Sequence, residues 1–252
     1  MKKKIDIIIL GGSGLLGLEI IKKFKKNKKK ILNLDIKNKV PHFNNYFFEK
    51  FNMSSLDLEA NLKKIIKKYS TPEIYIDCSY INRNLFNDIS FKNISRSNLN
   101  CVLTDWLSPS IIICSLIMSQ MKNVKKKASI ILTSSIYGIV SQDPSVYKNT
   151  NIKENIGYSL VKSGINNFVK NAATQYGQFN IRVNSVCPGG IENKQDKNFK
   201  DKNFKKNYLK KVPMNRFSSP EEIANIYEFL SSEKSSYITG INLVADGGYT
   251  LT

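Results

Sequence analysis

Two residues with complementary chemistry, Tyr158 and Lys162, stand four positions apart in the segment GYSLVKSG. Four residues are about one turn of an α-helix, so the two side chains project from the same face with their polar ends close together. An ammonium group favours a phenolate over a phenol, and it therefore lowers a tyrosine pKa that normally lies near ~10. Such a tyrosine donates and accepts protons at neutral pH. The same pair is also common on solvated helix faces, so its chemistry depends on what surrounds it.

The elements that would position this pair alternate along the chain between short apolar runs and helical patterns. The runs are KIDIIIL, ILNLDI, EIYIDCS, SIILTSS, IRVNSV and GINLVAD. Strands alternating with helices predict βαβ units, and hence a parallel sheet with helices on both faces. The predicted fold class is α/β, and ligands of such sheets bind at the carboxyl ends of the strands.

A glycine-rich segment, GGSGLLG, follows the first apolar run and places Gly11, Gly14 and Gly17 at the start of a helical pattern. Glycines let the backbone approach a pyrophosphate, and a helix N-terminus offers it free N–H groups and a favourable dipole. Asp35 follows the second run, where a carboxylate accepts hydrogen bonds from ribose hydroxyls and repels a 2′-phosphate. The pattern predicts NAD rather than NADP, although Lys37 would weaken that preference.

Two further segments fall at the same predicted edge of the sheet. Ser134 and Ser135 follow the run SIILTSS, and the turn CPGG at 187–190 follows the run IRVNSV. A serine hydroxyl there can hydrogen-bond a substrate carbonyl oxygen, and glycines let the backbone pass close to a nicotinamide ring. Each feature is ordinary alone, but both lie where the glycine-rich segment would bind a dinucleotide.

Composition narrows the classes of protein. The chain has 252 residues, of which 41% are hydrophobic and 23% charged, and it shows no linker, so one soluble domain over 1–252 is expected. The cysteines have no CxxC spacing, and with the single histidine, His42, they predict no metal site; free thiols favour the cytoplasm. The apolar stretch at 111–118 is too short to span a bilayer, so no membrane association is predicted.

The net charge of +19 would ordinarily favour a polyanionic partner, but the lysines are spread along the whole chain. The segment at 197–211, KNFKDKNFKKNYLKK, offers interleaved aromatics for nucleic-acid binding. Phe204 and Tyr208 are four residues apart, so the simpler interpretation is the apolar face of a short helix. No nucleic-acid partner is therefore predicted.

Taken together, GGSGLLG, SSIYG, YSLVK, NSVCPGG and the C-terminal segment RFSSPEEIANIYEFLSSEKSSYITGINLVADGGYTL resemble the short-chain dehydrogenase/reductase family over nearly the whole chain. The resemblance implies a Rossmann-type, doubly wound sheet of about seven parallel strands. It implies that Tyr158 transfers the proton, and that Lys162 lowers the pKa of this tyrosine and holds the nicotinamide ribose. It also implies that Ser135, rather than Ser134, polarises the substrate oxygen.

The resemblance further implies an NAD site, with a substrate lid around 190–215 and a homotetramer or homodimer formed through the helices around 108–121 and 158–176. The expected cofactor-binding residues are Gly11, Ser13, Gly14, Leu15, Leu16, Gly17, Asp35, Asn52, Met53, Cys78, Ser79, Tyr158, Lys162, Pro188, Gly189 and Ile191.

The sequence departs from the family at several positions. Leu10 precedes the glycines where most relatives have threonine, and the glycine spacing is that of the extended sugar-nucleotide branch. The segment DCSY at 77–80 replaces the usual NNAG. Trp106, next to Asp105, stands where the catalytic asparagine of the family aligns best. The proton relay therefore runs through Asp105 or water, or it is absent.

A narrower resemblance bears on the substrate. The segments CSYINRN, SQDPSVYKNTNIKEN and VCPGGIEN resemble a branch found with bacterial surface-sugar clusters, including relatives associated with nonulosonic (legionaminic-type) acid synthesis. This implies a sugar derivative as substrate. The insert at 141–155 is rich in hydroxyl, amide and charged groups, and we expect it to lie over a polyhydroxylated ligand, the alternative being a solvated loop.

Two other functions are open at this point. A 3-oxoacyl-carrier-protein reductase would suit a basic surface with an acidic carrier, but such reductases usually take NADPH, against the indication from Asp35. A dinucleotide-binding scaffold with little turnover would be consistent with the missing asparagine, but not with intact Ser135, Tyr158 and Lys162.

Overall fold

A single parallel sheet of seven strands forms the centre of the molecule. The computed structural model describes residues 1–81, 89–124, 126–193 and 200–252. The strand order is β3-β2-β1-β4-β5-β6-β7, and the strands are β1 (Ile7–Leu10), β2 (Ile31–Asp35), β3 (Tyr46–Lys50), β4 (Ile74–Asp77), β5 (Ala128–Thr133), β6 (Ile181–Pro188) and β7 (Asn242–Ala245). The predicted α/β class and the seven-stranded Rossmann-type sheet are confirmed.

Helices cover both faces of this sheet. In the described residues they are α1 (Leu15–Lys26), α2 (Leu58–Lys68), α3 (Arg96–Val102), α4 (Ser108–Val124), α5 (Pro144–Tyr147), α6 (Ile156–Tyr176), α7 (Lys202–Leu209) and α8 (Pro220–Ser231). Strand side chains alternate between faces. From β1, Ile8 and Leu10 join a core cluster with α2, α4 and α6, whereas Ile7 and Ile9 join a second cluster with α1 and α8. Burial on both faces explains why the strands are apolar throughout.

The helices α3 and α4 are joined by a π-helical turn, Leu103–Leu107, into one helical stretch, Arg96–Val124. By length and composition alone this stretch could cross a membrane, since it is much longer than the apolar segment at 111–118. However, Ile113, Ile117 and Met118 are buried against the sheet. We therefore interpret it as a core helix. The π turn inserts extra backbone into the helix and changes which side chains face inward.

The loop after β1 is shaped by close backbone contacts. Gly11 has φ of 79°, a left-handed conformation that glycine adopts without steric cost. A Cβ atom on Gly17 would lie 2.4 Å from the carbonyl oxygen of Gly11, so α1 begins in direct contact with the loop. A Cβ atom on Gly12 would lie 2.4 Å from Oδ1 of Asn33. The loop is therefore tightly folded between the carboxyl end of β1 and the start of α1.

We expect Gly17→Ala to lower stability by about 1–3 kcal/mol and to weaken NADH binding at least about tenfold, because the methyl group forces α1 away from the loop. Gly177→Ala is the matched control, since no atom lies within 4 Å of its added methyl group. Thermal unfolding and NADH fluorescence titration measure the two effects. Equal behaviour of the two variants would show that this close contact has no role in the cofactor site.

Candidate active site

Tyr158 and Lys162 lie in the first two turns of α6, on one face as predicted. The helix is capped by Asn155, whose side-chain oxygen accepts a hydrogen bond from the Tyr158 N–H at 3.1 Å. The Lys162 Nζ atom lies 5.6 Å from the centroid of the Tyr158 ring. It donates a hydrogen bond of 2.8 Å to the carbonyl oxygen of Thr133, at the end of β5. The pair therefore stands at the carboxyl edge of the sheet.

The surroundings of Lys162 determine its charge. Its side chain is buried, and burial lowers its pKa from 10.5 to about 8, while the negative charge of Asp77 acts in the opposite direction. Among the residues that the structure describes, Asp77 and Lys162 are the only charged side chains that are fully buried. The substitution of the first asparagine of NNAG by Asp77 thus places a carboxylate where it favours the protonated lysine.

Asp77 is itself supported by neighbouring donors. Its carboxylate accepts hydrogen bonds from the Ser79 N–H at 2.9 Å, the Ser79 hydroxyl at 2.6 Å and the Ser110 hydroxyl at 2.8 Å. Burial raises the pKa of Asp77, and these hydrogen bonds together with Lys162 oppose that shift. In the sequence, Asp77 stands out only as a departure from the NNAG motif of the family. The sequence feature that could have predicted a buried carboxylate is the position of this acidic residue at the end of an apolar strand.

Ser134 and Ser135 are both buried but use their hydroxyls differently. The Ser134 hydroxyl donates a hydrogen bond to the carbonyl oxygen of Lys162 at 2.9 Å. The Ser135 hydroxyl oxygen accepts the Tyr137 N–H at 3.2 Å. Because acceptance does not use the hydroxyl proton, Ser135 retains a donor for a substrate oxygen. This geometry favours Ser135 over Ser134 in that role, which stays a prediction.

Trp106 stands where the family has its catalytic asparagine, and its ring lies beside Lys162 and Tyr158. Trp106 is 1% exposed, and the centroid of its indole lies 4.5 Å from the Lys162 Nζ atom and 5.8 Å from the Tyr158 ring centroid. The Asp105 carboxylate instead accepts the Cys101 thiol at 3.4 Å and the Thr104 hydroxyl at 3.3 Å. Of these two adjacent residues, Trp106 is therefore the one that contacts the reacting pair.

The predicted cofactor-binding residues between Gly11 and Ser79 lie around the carboxyl ends of β1 to β4. The Asp35 carboxylate accepts the Ser13 N–H at 2.9 Å and the Ile36 N–H at 2.7 Å, so it stands directly beside the glycine loop. The Cys78 thiol donates to the Leu10 carbonyl oxygen at 3.2 Å, which joins the loops after β1 and β4. Between these two strands the chain order reverses, and such switch points hold dinucleotides in open α/β sheets.

Two members of the predicted set, Leu16 and Met53, have side chains that point into the core. The side chains of Leu16 and Met53 are buried in the two core clusters, on opposite faces of the sheet. Only their backbone atoms can therefore face a ligand. By contrast, Leu15 is 42% exposed at the start of α1, and Asn52 is exposed after β3, where its side-chain oxygen accepts the Ser54 N–H.

The turn after β6 is tied to its surroundings. The Gly189 N–H donates to the Ala245 carbonyl oxygen, and the Gly190 N–H donates to the Tyr208 hydroxyl at 2.6 Å. Pro188 ends the strand, and Ile191 packs against the edge of the core that includes α1 and α8. The predicted lid is described at 190–193 and 200–215; residues 194–199 lie outside the described residues.

The helix α7, which lies in the segment predicted as a lid, packs against the insert at 141–155. Tyr208 is buried with Val146 and Tyr249, and Phe204 lies against them, which supports the interpretation of 200–211 as a helix with an apolar face. Lys211 forms an ion pair of 2.6 Å with Asp143. Residues 197–199 of the basic segment, and residues 82–84 of CSYINRN, lie outside the described residues.

Three polar side chains of the insert make contacts within the protein. The Gln142 amide donates to the Asn155 carbonyl oxygen at 2.7 Å and to the Ser159 hydroxyl at 2.8 Å, and its oxygen accepts the Tyr147 hydroxyl at 2.9 Å. With Asp143 held by Lys211, these groups bind the protein itself. The side chains of Gln142, Tyr147 and Asp143 thus connect the insert to the start of α6 and to α7, and the expectation that the insert lies over a polyhydroxylated ligand stays a prediction.

A groove of about 1450 Å³ lies at the opposite edge of the sheet, lined by the first residues of β4, β5 and β6. It is remote from Tyr158 because the amino and carboxyl ends of parallel strands lie at opposite edges. In the described part of the chain, no group of three or more histidine, cysteine or acidic side chains is placed to hold a metal ion.

Comparison with known proteins shows the family to which the chain belongs. Residues 54–250 match the family described as Enoyl-(Acyl carrier protein) reductase. The chain is 34% identical over 189 residues to the 3-oxoacyl-acyl-carrier-protein reductase FabG of Buchnera aphidicola subsp. Schizaphis graminum, covering 74% of this chain and 69% of that protein. The chain belongs to the short-chain dehydrogenase/reductase family.

Other relatives match over a smaller share of their length. The chain spans less than half the length of the first curated relatives that it matches, 36% of one and 46% of the other. The second is the glucose 1-dehydrogenase 2 of Bacillus subtilis (strain 168). The two sequences are 37% identical over 120 residues, which are 48% of this chain. A solved short chain dehydrogenase from Leptospira borgpetersenii with bound NAD+ superposes with a TM-score of 0.81 at 27% identity, covering 99% of this chain and 93% of that one.

We expect activity to fall as the pH rises through about 8, because the lowered pKa of Lys162 makes it lose the charge that favours a Tyr158 phenolate. Asp77→Asn should move this decline to lower pH, since the carboxylate that raises the lysine pKa is removed. Rates measured across pH for the two proteins test this. A wild-type rate that stays constant well above pH 8, or an unchanged profile in Asp77→Asn, would contradict the coupling.

Proposed function

We propose that the protein is an NAD(H)-dependent oxidoreductase that interconverts a hydroxyl and a carbonyl group on a sugar derivative. The observation that carries the proposal is the convergence of Ser135, Tyr158 and the buried Lys162 at the sheet edge that also holds the glycine loop. These groups are the donor, the acid–base residue and the cation that carbonyl reduction requires.

The glycine loop fits a dinucleotide. Cβ atoms on Gly11 and Gly17 would lie 2.7 Å from the Ser79 backbone and 2.4 Å from the Gly11 carbonyl oxygen, so glycine at both positions lets the loop turn tightly into the N-terminus of α1, where a pyrophosphate would bind. Residues expected to hold the cofactor are the loop itself, Asp35 for the adenosine ribose and Lys162 for the nicotinamide ribose. A bound nicotinamide supplies or accepts the hydride.

The protein residues then act on the substrate oxygen. The Ser135 hydroxyl donates a hydrogen bond to it, which stabilises the negative charge that develops during carbonyl reduction. Tyr158 transfers its phenolic proton to the same oxygen, and the Lys162 ammonium stabilises the resulting phenolate. In the oxidation direction Tyr158 takes the proton back. The aromatic rings of Trp106 and Tyr80 beside Tyr158 limit the access of water to this transfer.

Asp35 supports NAD over NADP. Its carboxylate is fixed beside the glycine loop by the Ser13 and Ile36 N–H groups, where it would meet the adenosine ribose and repel a 2′-phosphate. The solved Leptospira borgpetersenii relative contains NAD+.

A 3-oxoacyl thioester is the alternative to a sugar derivative as the substrate. The glucose 1-dehydrogenase relative and the surface-sugar resemblance favour a sugar derivative, whereas the FabG relative favours a 3-oxoacyl thioester on a carrier protein. Asp35 counts against the second candidate, since carrier-protein reductases usually take NADPH. A low-turnover dinucleotide-binding scaffold would not need the buried lysine that the fold maintains beside Tyr158.

Location and assembly belong to the same proposal. We infer a cytoplasmic enzyme that forms a homotetramer or homodimer through α4 and α6. Leu160 on α6 is 43% exposed and Leu103, in the π turn before α4, is 39% exposed, which leaves apolar surface for a second copy.

Tyr158→Phe tests the chemistry. We expect it to lower turnover about 10²–10⁴-fold while leaving the Kd for NADH within about threefold, because only the proton-transfer group is lost. The assay is NADH absorbance with a panel of sugars, sugar phosphates, nucleotide sugars and 3-oxoacyl thioesters. Most of the wild-type rate persisting in Tyr158→Phe would refute the catalytic assignment. Faster reduction of 3-oxoacyl thioesters than of any sugar derivative would show that the substrate is a thioester and not a sugar derivative.

Asp35→Asn tests the cofactor preference. The amide keeps an acceptor for the Ser13 N–H but removes the charge, so we expect the ratio of kcat/KM for NAD to that for NADP to fall at least about tenfold. Lys37→Ala is the companion variant and should move the ratio the other way. A wild-type enzyme that already prefers NADPH would show that the role of Asp35 is wrong.

A further inference from the structure

The single tryptophan of the chain, Trp106, is buried beside Tyr158 and Lys162. Trp106 lies in the π turn between α3 and α4, and its side chain is 1% exposed. Tyr80, from the loop after β4, covers it edge-on with a centroid distance of 5.0 Å. The Tyr158 ring lies on another side at 5.8 Å. The indole is therefore enclosed by the loop after β4, by its own helix and by the start of α6.

The indole also faces the catalytic cation. The Lys162 Nζ atom lies 4.5 Å from the indole centroid, well within the range in which a cation is attracted to an aromatic face, and tryptophan is the strongest such partner. On another side the same ammonium donates to the Thr133 carbonyl oxygen at 2.8 Å. Two contacts from different elements thus fix the end of a long and otherwise flexible side chain.

Trp106 holds this cation without offering a polar group of the kind that an asparagine would supply. An indole face has no lone pair to bind water, so it cannot continue a hydrogen-bonded relay from the lysine. The adjacent Asp105 carboxylate is engaged with Cys101 and Thr104 along its own helix. Where the family has an asparagine amide that binds water, this chain therefore has an aromatic face that contacts the Lys162 ammonium.

We infer that Trp106 is a positioning residue for the reaction: its indole holds the Lys162 ammonium by a cation–π contact, and it excludes water from the side of the lysine where the family has its relay asparagine. The inference rests on the proposed function for its kinetic consequence, but the contact itself can be tested without turnover. The groups that face Lys162 and that can titrate or carry charge are Asp77, Cys78, Tyr158 and Cys187.

The first experiment uses Trp106 as its own reporter, since it is the only tryptophan. Emission of the wild-type protein is recorded while the pH is raised from about 6 to about 10. We expect a shift in emission when the ammonium beside the indole loses its charge near pH 8. Lys162→Met should abolish this transition, and Tyr158→Phe should keep it. Absence of the transition in the wild type, or its persistence in Lys162→Met, overturns the inference.

The second experiment separates the aromatic face from simple packing. Trp106→Phe keeps a ring, whereas Trp106→Leu fills apolar space without one. We expect Trp106→Leu to lower kcat about tenfold or more and to raise the Kd for NADH severalfold, while Trp106→Phe stays within about threefold of the wild type. Equal losses in the two variants, after comparison of their unfolding temperatures, would show that Trp106 only packs.

Met118→Ala is the matched control for destabilisation, because Met118 is buried in the same core cluster as Trp106 but lies further along the helical stretch, in α4. It should lower the unfolding temperature without changing kcat or the Kd for NADH. If no compound in the substrate panel is turned over, the proposed function fails, while the emission titration and the NADH affinities still decide the role of Trp106.

Discussion

A buried ammonium group is the constraint on which the architecture of this site depends. Moving an ion of this size out of water costs several kcal/mol even after relaxation, so the fold must supply compensating groups. Here β5 supplies the carbonyl oxygen of Thr133, β4 supplies the carboxylate of Asp77, and the stretch joining α3 to α4 supplies the indole of Trp106. These elements are distant in sequence and meet only because the sheet places β4 beside β5. The environment of Lys162 thus depends on the whole sheet rather than on its own helix.

The substitution at Asp77 is best understood together with that constraint. An asparagine at the end of β4 can donate hydrogen bonds, but it cannot offset a neighbouring positive charge. A carboxylate can, provided that donors such as Ser79 and Ser110 keep it ionised in a buried place. The loss of a polar residue at Trp106 and the gain of a charge at Asp77 therefore act on the same lysine. Considered separately, each departure from the family would look like damage to the site.

The features that sequence analysis predicted are those specified by local pattern. The alternation of apolar runs and helical segments predicts the parallel sheet, and the spacing of Tyr158 and Lys162 predicts a shared helix face, because both are periodic over a few residues. Neither the π turn at Trp106 nor the orientation of the insert has such a signature. Gln142 turns towards α6 because Asn155 and Ser159 lie there in the folded chain, and that proximity cannot be obtained from composition.

The hydrogen bond between the Gly190 N–H and the Tyr208 hydroxyl has a consequence for how separate segments of the chain move. Tyr208 belongs to the apolar cluster that joins α7 to the insert, and Gly190 belongs to the turn expected to border the nicotinamide. A 2.6 Å hydrogen bond makes displacement of one felt by the other. We therefore expect any displacement of the turn after β6 to be transmitted through Tyr208 to α7 and to the insert, so that these three segments shift together.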